Sequence, residues 1–170
     1  MVIGTITMVE RGATPGLSAK WHNEAAKEGW QHTARYWHVT LRDKHFTEAG
    51  AREYGYTKRK GEGMVRGSKA YKRSYTGRKE ARFGHTRPLE FSGKSRRLTG
   101  TARISGTAKG ATVRMNAPAL NFKHPKSQIV MRDELTRISQ PETSELSNVF
   151  GQHYHRHANR STLTKTITIK

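Results

Sequence analysis

Between Lys58 and Arg103 the chain carries fifteen Lys or Arg residues against three acids, Glu62, Glu80 and Glu90, with seven glycines spread through the same stretch. Charge of one sign at this density repels itself, and so little apolar surface does not offset the entropy of ordering a chain on its own. Residues 57–85 are therefore expected to form a long, basic, extended loop that orders against a partner. Its expected contact residues are Lys58, Arg59, Lys60, Arg66, Lys69, Lys72, Arg73, Arg78, Lys79 and Arg82, with Arg96 and Arg97 beyond the loop. Tyr71, Tyr75 and Phe83 lie among them at spacings that suit stacking or docking into a neighbour. Two partners answer such charge, the phosphates of a nucleic acid and an acidic protein surface. A solvated flexible loop is the plain alternative. On the docking reading, deletion of 58–83 should leave the fold intact.

The remaining composition sets limits. The 170 residues have a net charge of +19, 33% hydrophobic residues and no cysteine. The length suits a single domain spanning 1–170, with a modest core. Without cysteine there is no disulfide framework, no thiol catalysis and no cysteine zinc site. No run approaches the ~20 apolar residues of a membrane span, so no membrane partner is expected. The start, MVIGTITMVERG, has an apolar run but no basic segment before it, and reads as a strand rather than a signal peptide.

Periodicity places the elements. Ser18 offers a helix cap, and Ala26, Trp30, Ala34, Trp37 and Leu41 recur at three- and four-residue steps, which predicts one long helix over 18–45. Gly29 inside it marks a close packing point or a bend. Thr47 caps a short second helix that stops at Gly55. The region 98–138 reads as sheet: Leu98–Ser105 and Ala111–Asn116 form a hairpin around Gly106 and Gly110, and Leu120 and Phe122 tuck beneath it. Ile129–Ile138 fits a strand or a helix and is read as a strand, because Ser139, Pro141 and Glu142 start a helix immediately after it, over 139–158. Leu146, Val149 and Phe150 give that helix its apolar stripe. The tail at 161–170 alternates as a terminal strand arm. Trp30, Trp37, Leu41, Leu146 and Phe150 are the expected core anchors.

Catalytic motifs are lacking: no phosphate-binding glycine loop, no HExxH and no nucleophile elbow. His153 and His157 lie one helical turn apart, but nothing nearby completes a metal set, so neither a metal nor a cofactor is expected and the chain does not read as an enzyme. His45, with Phe46 and Thr47, reads as a helix junction. No zinc finger, RNA-recognition signature or basic zipper is present, so any nucleic-acid contact would be made through charge and shape.

Two stretches carry a family resemblance. Trp37 through Arg59 runs from a helix through an HFT junction into Y-G-Y and basic residues, and resembles phage neck and tail-completion proteins. Gly84 through Arg103, GHTRPLEFSGKSRRLTGTAR, is similar to the segment of head–tail connector proteins that enters their central sheet, and MRDELTRISQPETSELSNVF is similar to the family's closing strand and helix. The resemblance covers roughly 37–150. It implies an α+β subunit, a small twisted, mainly antiparallel sheet packed by one long N-terminal helix and a C-terminal helix, here with a long basic loop and terminal strand arms. It further implies a homo-oligomeric ring, twelve-fold or six-fold, in the virion neck. The partners would be a portal or adaptor protein and tail proteins, with non-specific contact to packaged DNA, and assembly would occur in the host cytoplasm. The family has no catalytic residues to carry over. The basic 58–83 insertion and the extra terminal strand leave open which layer this is: adaptor, stopper or tail terminator. The competing reading from composition is a basic RNA-binding structural protein, such as a ribosomal protein.

Overall fold

A computed structural model describes residues 4–11, 19–121, 129–160 and 162–169; the expected cap Ser18 and the expected core residue Phe122 lie outside them. The architecture is α+β. In chain order the elements are β1 (Gly4–Arg11), α1 (Ala19–Tyr36), a π turn (Trp37–Leu41), a 3-10 turn (Arg42–Phe46), α2 (Glu48–Glu53), α3 (Lys69–Arg73), α4 (Tyr75–Phe83) and α5 (Lys94–Thr99). There follow β2 (Ala102–Thr107), β3 (Gly110–Met115), a 3-10 turn (Pro118–Asn121), α6 (Met131–Leu135), α7 (Gln140–Arg160) and β4 (Thr162–Ile169). The contacts gather the chain into two compact units.

The first unit comprises the chain up to Tyr36, Ile104–Thr112, and everything from Ser144 onward. The Tyr36 hydroxyl donates to Glu145, Trp30 packs on Phe150 with ring centres 4.6 Å apart, and His22 Nδ1 lies 2.9 Å from the Tyr154 hydroxyl. Partners numbered upward on α1 and downward on α7 make the helices antiparallel. Gly29 is a close packing point: a Cβ there would lie 2.8 Å from the Phe150 ring. Ala25 and Ala34 of α1 and Leu146 and Ala158 of α7 are buried. Gly106 of β2 sits on α1 as well, where a Cβ would meet Gln31 at 2.5 Å. β1 and β4 pair antiparallel, one to one, from Gly4 opposite Ile169 to Arg11 opposite Thr162. No third strand joins them among the described residues.

The second unit comprises Trp37–Arg103 and Val113–Thr143. Phe46, Leu89, Ala117, Leu120 and Leu135 form its apolar core, with Tyr56, Leu98, Met115 and Met131 packed against it. Beside the core lies a buried polar network. The His45 ring stacks on Tyr54 at 3.9 Å, and its Nδ1 is 2.6 Å from the Tyr56 hydroxyl. Tyr54 donates to the buried carboxylate of Glu142. The Arg59 guanidinium grips both oxygens of Glu134, which also accepts from the Thr57 N–H at 3.1 Å. Arg137 closes the turn by donating to the carbonyls of Tyr54 and Gly55 at 3.1 and 2.6 Å. Burial, and then Glu142, push the Tyr54 phenol well above its ordinary range, and burial followed by Glu134 does the same to Tyr56. Tyr54 stays protonated and acts as a donor, which its paired carboxylate requires.

Local chemistry accounts for where the elements begin and end. Thr47 Oγ1 accepts from Gly50 N–H at 3.0 Å and opens α2, and Gly55 follows it with φ +60°. Ser139 and Glu142 make a reciprocal cap: Ser139 N–H donates to the Glu142 carboxylate at 3.3 Å, and Glu142 N–H to Ser139 Oγ at 3.4 Å. The long helix expected over 18–45 is α-helical only to Tyr36 and then widens and tightens through the π and 3-10 turns.

Three expectations are corrected. Residues 57–85 are not an extended loop but successive turns followed by α3 and α4. Serine caps do this: Ser68 Oγ accepts from Tyr71 N–H and Ser74 Oγ from Gly77 N–H, both at 3.1 Å, and Gly84, with φ +70°, ends the second helix. Residues 131–135 are helical rather than a strand, with Leu135 turned into the core and Ile138 left exposed. The sheet region starts at Ala102, not Leu98, because Lys94–Thr99 is a helix whose Leu98 packs on the core.

Candidate interaction surface

Short pairings within 57–103 hold its backbone while most of its charge faces outward. The turns close through Glu62 N–H to Arg59 O at 2.9 Å and Thr76 N–H to Lys60 O at 3.2 Å. Tyr71 is buried and donates to Glu80, which also faces Arg66 at 3.8 Å. Gly77 lets α4 start directly on the end of α3, where a Cβ would lie 2.1 Å from the Tyr71 carbonyl oxygen.

The expected contact residues divide. Lys58, Lys60, Arg66, Lys69, Lys72, Arg73, Arg78, Arg82 and Arg97 are exposed. Arg59 is committed to Glu134. Lys79 is only 3% exposed and donates to the Arg87 carbonyl; burial, partly opposed by Glu90, pulls its ammonium down to about 8. Arg96 bonds Asp43 at 2.9 Å, and Arg42 bonds the same carboxylate at 2.6 Å. Burial works to raise the Asp43 carboxyl, but the two guanidiniums outweigh it and hold it below its ordinary value. Of the expected core anchors, Trp37, Leu41 and Leu146 are buried, while Trp30 and Phe150 are half-buried against each other.

An aromatic cluster stands on this basic surface. Tyr75 is 37% exposed and Phe91 43%. Their rings stack at 5.8 Å, and Phe83 meets Phe91 edge-on at 4.8 Å. The Arg82 guanidinium lies 5.3 Å from the Phe83 ring centre, and Lys79 Nζ 5.9 Å from that of Tyr75. Phe91 escaped the sequence reading, because Pro88 and the following acid look like an ordinary extended strip. In the fold Leu89 has φ +53°, in the left-handed region that side chains rarely adopt. Pro88, Leu89 and Glu90 are consequently all buried in succession, and Phe91 emerges at the surface. Glu90 faces His85 at 3.8 Å and Arg87 at 3.5 Å. An open groove of about 490 Å³ nearby is lined by Arg66, Arg87 and Arg96 but also by Glu48 and Glu80, so its charge is mixed.

No family model, curated protein or solved structure matches the chain. The functional reading therefore rests on its own residues. Of the two histidines weighed as metal ligands, His153 stacks on His32, ring centres 3.7 Å apart, and His157 is half-buried. Burial, and then the His32 charge, lower the His153 imidazole. Among the described residues no three His, Cys, Asp or Glu come together to hold a metal ion, and no helix is long and apolar enough to cross a membrane.

Proposed function

We propose that this chain is a structural protein of the phage neck, one subunit of a homo-oligomeric ring joining portal and head to tail as adaptor, stopper or tail terminator. One observation carries the reading: a folded scaffold presents unneutralised basic side chains outward and exposes large apolar ones among them, including Val65 at 79%, Val39 and Phe91. Mixed surfaces of this kind serve contact with other macromolecules. The stretches that resemble neck proteins also have structural occupations. His45, Tyr54, Tyr56 and Arg59 build the buried network, and Leu89 fills the core.

The terminal ribbon supports a ring. A two-stranded ribbon is marginal alone in water, and its outer edges carry unpaired backbone groups. In the ring, a neighbour's strands extend it into a small twisted, mainly antiparallel sheet on which α1 and α7 pack. Head-to-tail contacts of this kind close when the rotation permits, twelve-fold or six-fold. The site of action is the virion neck, assembled in the host cytoplasm, with packaged DNA passing in non-specific contact.

The test is a tagged pull-down from nuclease-treated infected-cell extract, read by mass spectrometry. Portal and tail proteins are the expected catch. Ribosomal proteins that disappear with nuclease would overturn the reading in favour of an RNA-scaffolded protein.

A further inference from the structure

We propose that Tyr75, Phe83 and Phe91, flanked by Arg82, are the docking site for an acidic segment of a partner protein that seats an apolar side chain on the aromatic rings. The proposal rests on the reading of the chain as an assembly component and names the chemistry of the partner. Three observations converge on it. First, the backbone at Leu89 accepts a φ of +53°, and the outcome of that strain is a half-exposed Phe91 beside Tyr75. A strained residue that is held by its surroundings and delivers an apolar ring to solvent is a feature that folding alone does not require.

Second, the rings are already engaged with one another. Tyr75 and Phe91 stack, Phe83 abuts Phe91, and Arg82 sits by the Phe83 ring. Nucleic-acid platforms offer free ring faces on which bases stack. Rings packed together and bordered by a guanidinium instead match protein hot spots, where aromatic and arginine side chains cluster.

Third, the charge calls for an acidic partner, and a second copy is a poor one. Glu134, Glu142 and Glu90 are buried, Asp43 lies between Arg42 and Arg96, Glu80 is held by Tyr71, and the exposed acids, Glu24, Glu48, Glu53, Glu62 and Asp133, are outnumbered by the exposed bases. A chain with net charge +19 meets its own copy as a like charge.

The test uses the full chain and three fluorescent probes of equal charge: a peptide alternating Glu with Leu and Phe, an oligo-Glu peptide and a dT oligonucleotide. At physiological salt the mixed peptide should bind at least tenfold more tightly than oligo-Glu, and Phe91→Ala should remove that advantage while leaving oligo-Glu binding unchanged. Equal binding of the two peptides would overturn the proposal. So would an advantage that survives Phe91→Ala, or tighter binding of the oligonucleotide that Phe91→Ala weakens. The ring-proton shifts of Tyr75 and Phe91 in the unaltered chain give a readout independent of any variant's folding; shifts unmoved at saturating mixed peptide would equally overturn it. The ring assembly stands or falls by the pull-down, so the two failures are distinguishable.

Discussion

His45 makes the stability of the second unit depend on pH in a calculable way. Its ring is fully buried, stacked on Tyr54 and hydrogen-bonded to Tyr56. Burial pulls the imidazole from its ordinary 6.5 down to about 4, while the Glu134 backbone carbonyl and Glu53 oppose the fall and Lys44 adds to it. In the fold the ring is neutral; the unfolded chain takes up a proton below pH 6.5. The contribution is therefore complete above pH 6.5 and is lost as pH falls towards 4. At ~1.4 kcal/mol per pH unit, the loss is about 2 kcal/mol by pH 5 and approaches about 3 kcal/mol near pH 4. His85 and His153 are lowered too and act in the same direction, so the wild-type slope alone does not isolate His45. Urea unfolding of wild type and His45→Gln at pH 7.5 and pH 5 does isolate it. Wild type should lose about 2 kcal/mol more than the variant between the two conditions. Equal losses would refute the reasoning, as would an NMR titration that puts the His45 midpoint near 6.5.

Other predictions follow from close contacts. Glu134→Gln leaves the Arg59 guanidinium buried without its counter-charge and should cost about 3–5 kcal/mol in urea unfolding at neutral pH; a cost below about 1 kcal/mol would show the pair to be solvated. Gly77→Ala drives a methyl into the Tyr71 carbonyl and should cost about 2 kcal/mol or more, with new proteolytic cleavage between residues 66 and 84. Gly29→Ala gains ~1 kcal/mol of helix propensity but strikes the Phe150 ring, so its net effect should be a lower melting temperature; an unchanged or raised one would mean the ring gives way freely. Deletion of 58–83 removes Arg59 from Glu134 and the buried Tyr71 with it, so circular dichroism should report a helix loss larger than the deleted α3 and α4 account for, the opposite of what a detachable segment predicts.

The sequence made the strongly periodic and well-capped parts legible. Thr47, Gly55, Ser139 and Pro141 announce the ends of α2 and the start of α7, and the β-branched termini announce β1 and β4. It also marked Gly29 as a packing point or a bend, of which the structure shows the packing point. What escaped was structure maintained by few apolar residues. In 68–84 the caps at Ser68 and Ser74 are present in the sequence, but charge density points to an extended loop that orders only against a partner. What orders the segment is Tyr71 on Glu80 and Lys79 on a carbonyl, contacts that no periodicity shows. Periodicity leaves 129–138 open between strand and helix, and the contact that holds the helix at 131–135, Arg59 on Glu134 across 75 residues of sequence, shows in no pattern.

The two oversights have one physical origin, and it bears on function. Only thirteen acids accompany thirty-two bases, and the fold commits many of those acids to internal anchors. Glu134 holds Arg59, Glu142 holds Tyr54, Glu80 holds Tyr71, Asp43 holds Arg42 and Arg96, and Glu90 is buried beside His85 and Arg87. Glu142 holds a neutral tyrosine and no base, so it is withdrawn from the surface without cancelling a positive charge. A count along the sequence treats every acid as screening its neighbours in solution; in the fold, Glu90, Glu134 and Glu142 are buried and no longer do so. The exposed lysines and arginines of α3, α4 and the preceding turns thus face solvent with less relief than the composition suggests. That imbalance is costly in an isolated chain and is relieved when an acidic surface covers it. Raising salt should therefore stabilise the free chain by screening its surface and weaken its complex with an acidic peptide; a salt response of the same sign in both would mean that the surface charge is already balanced within the chain.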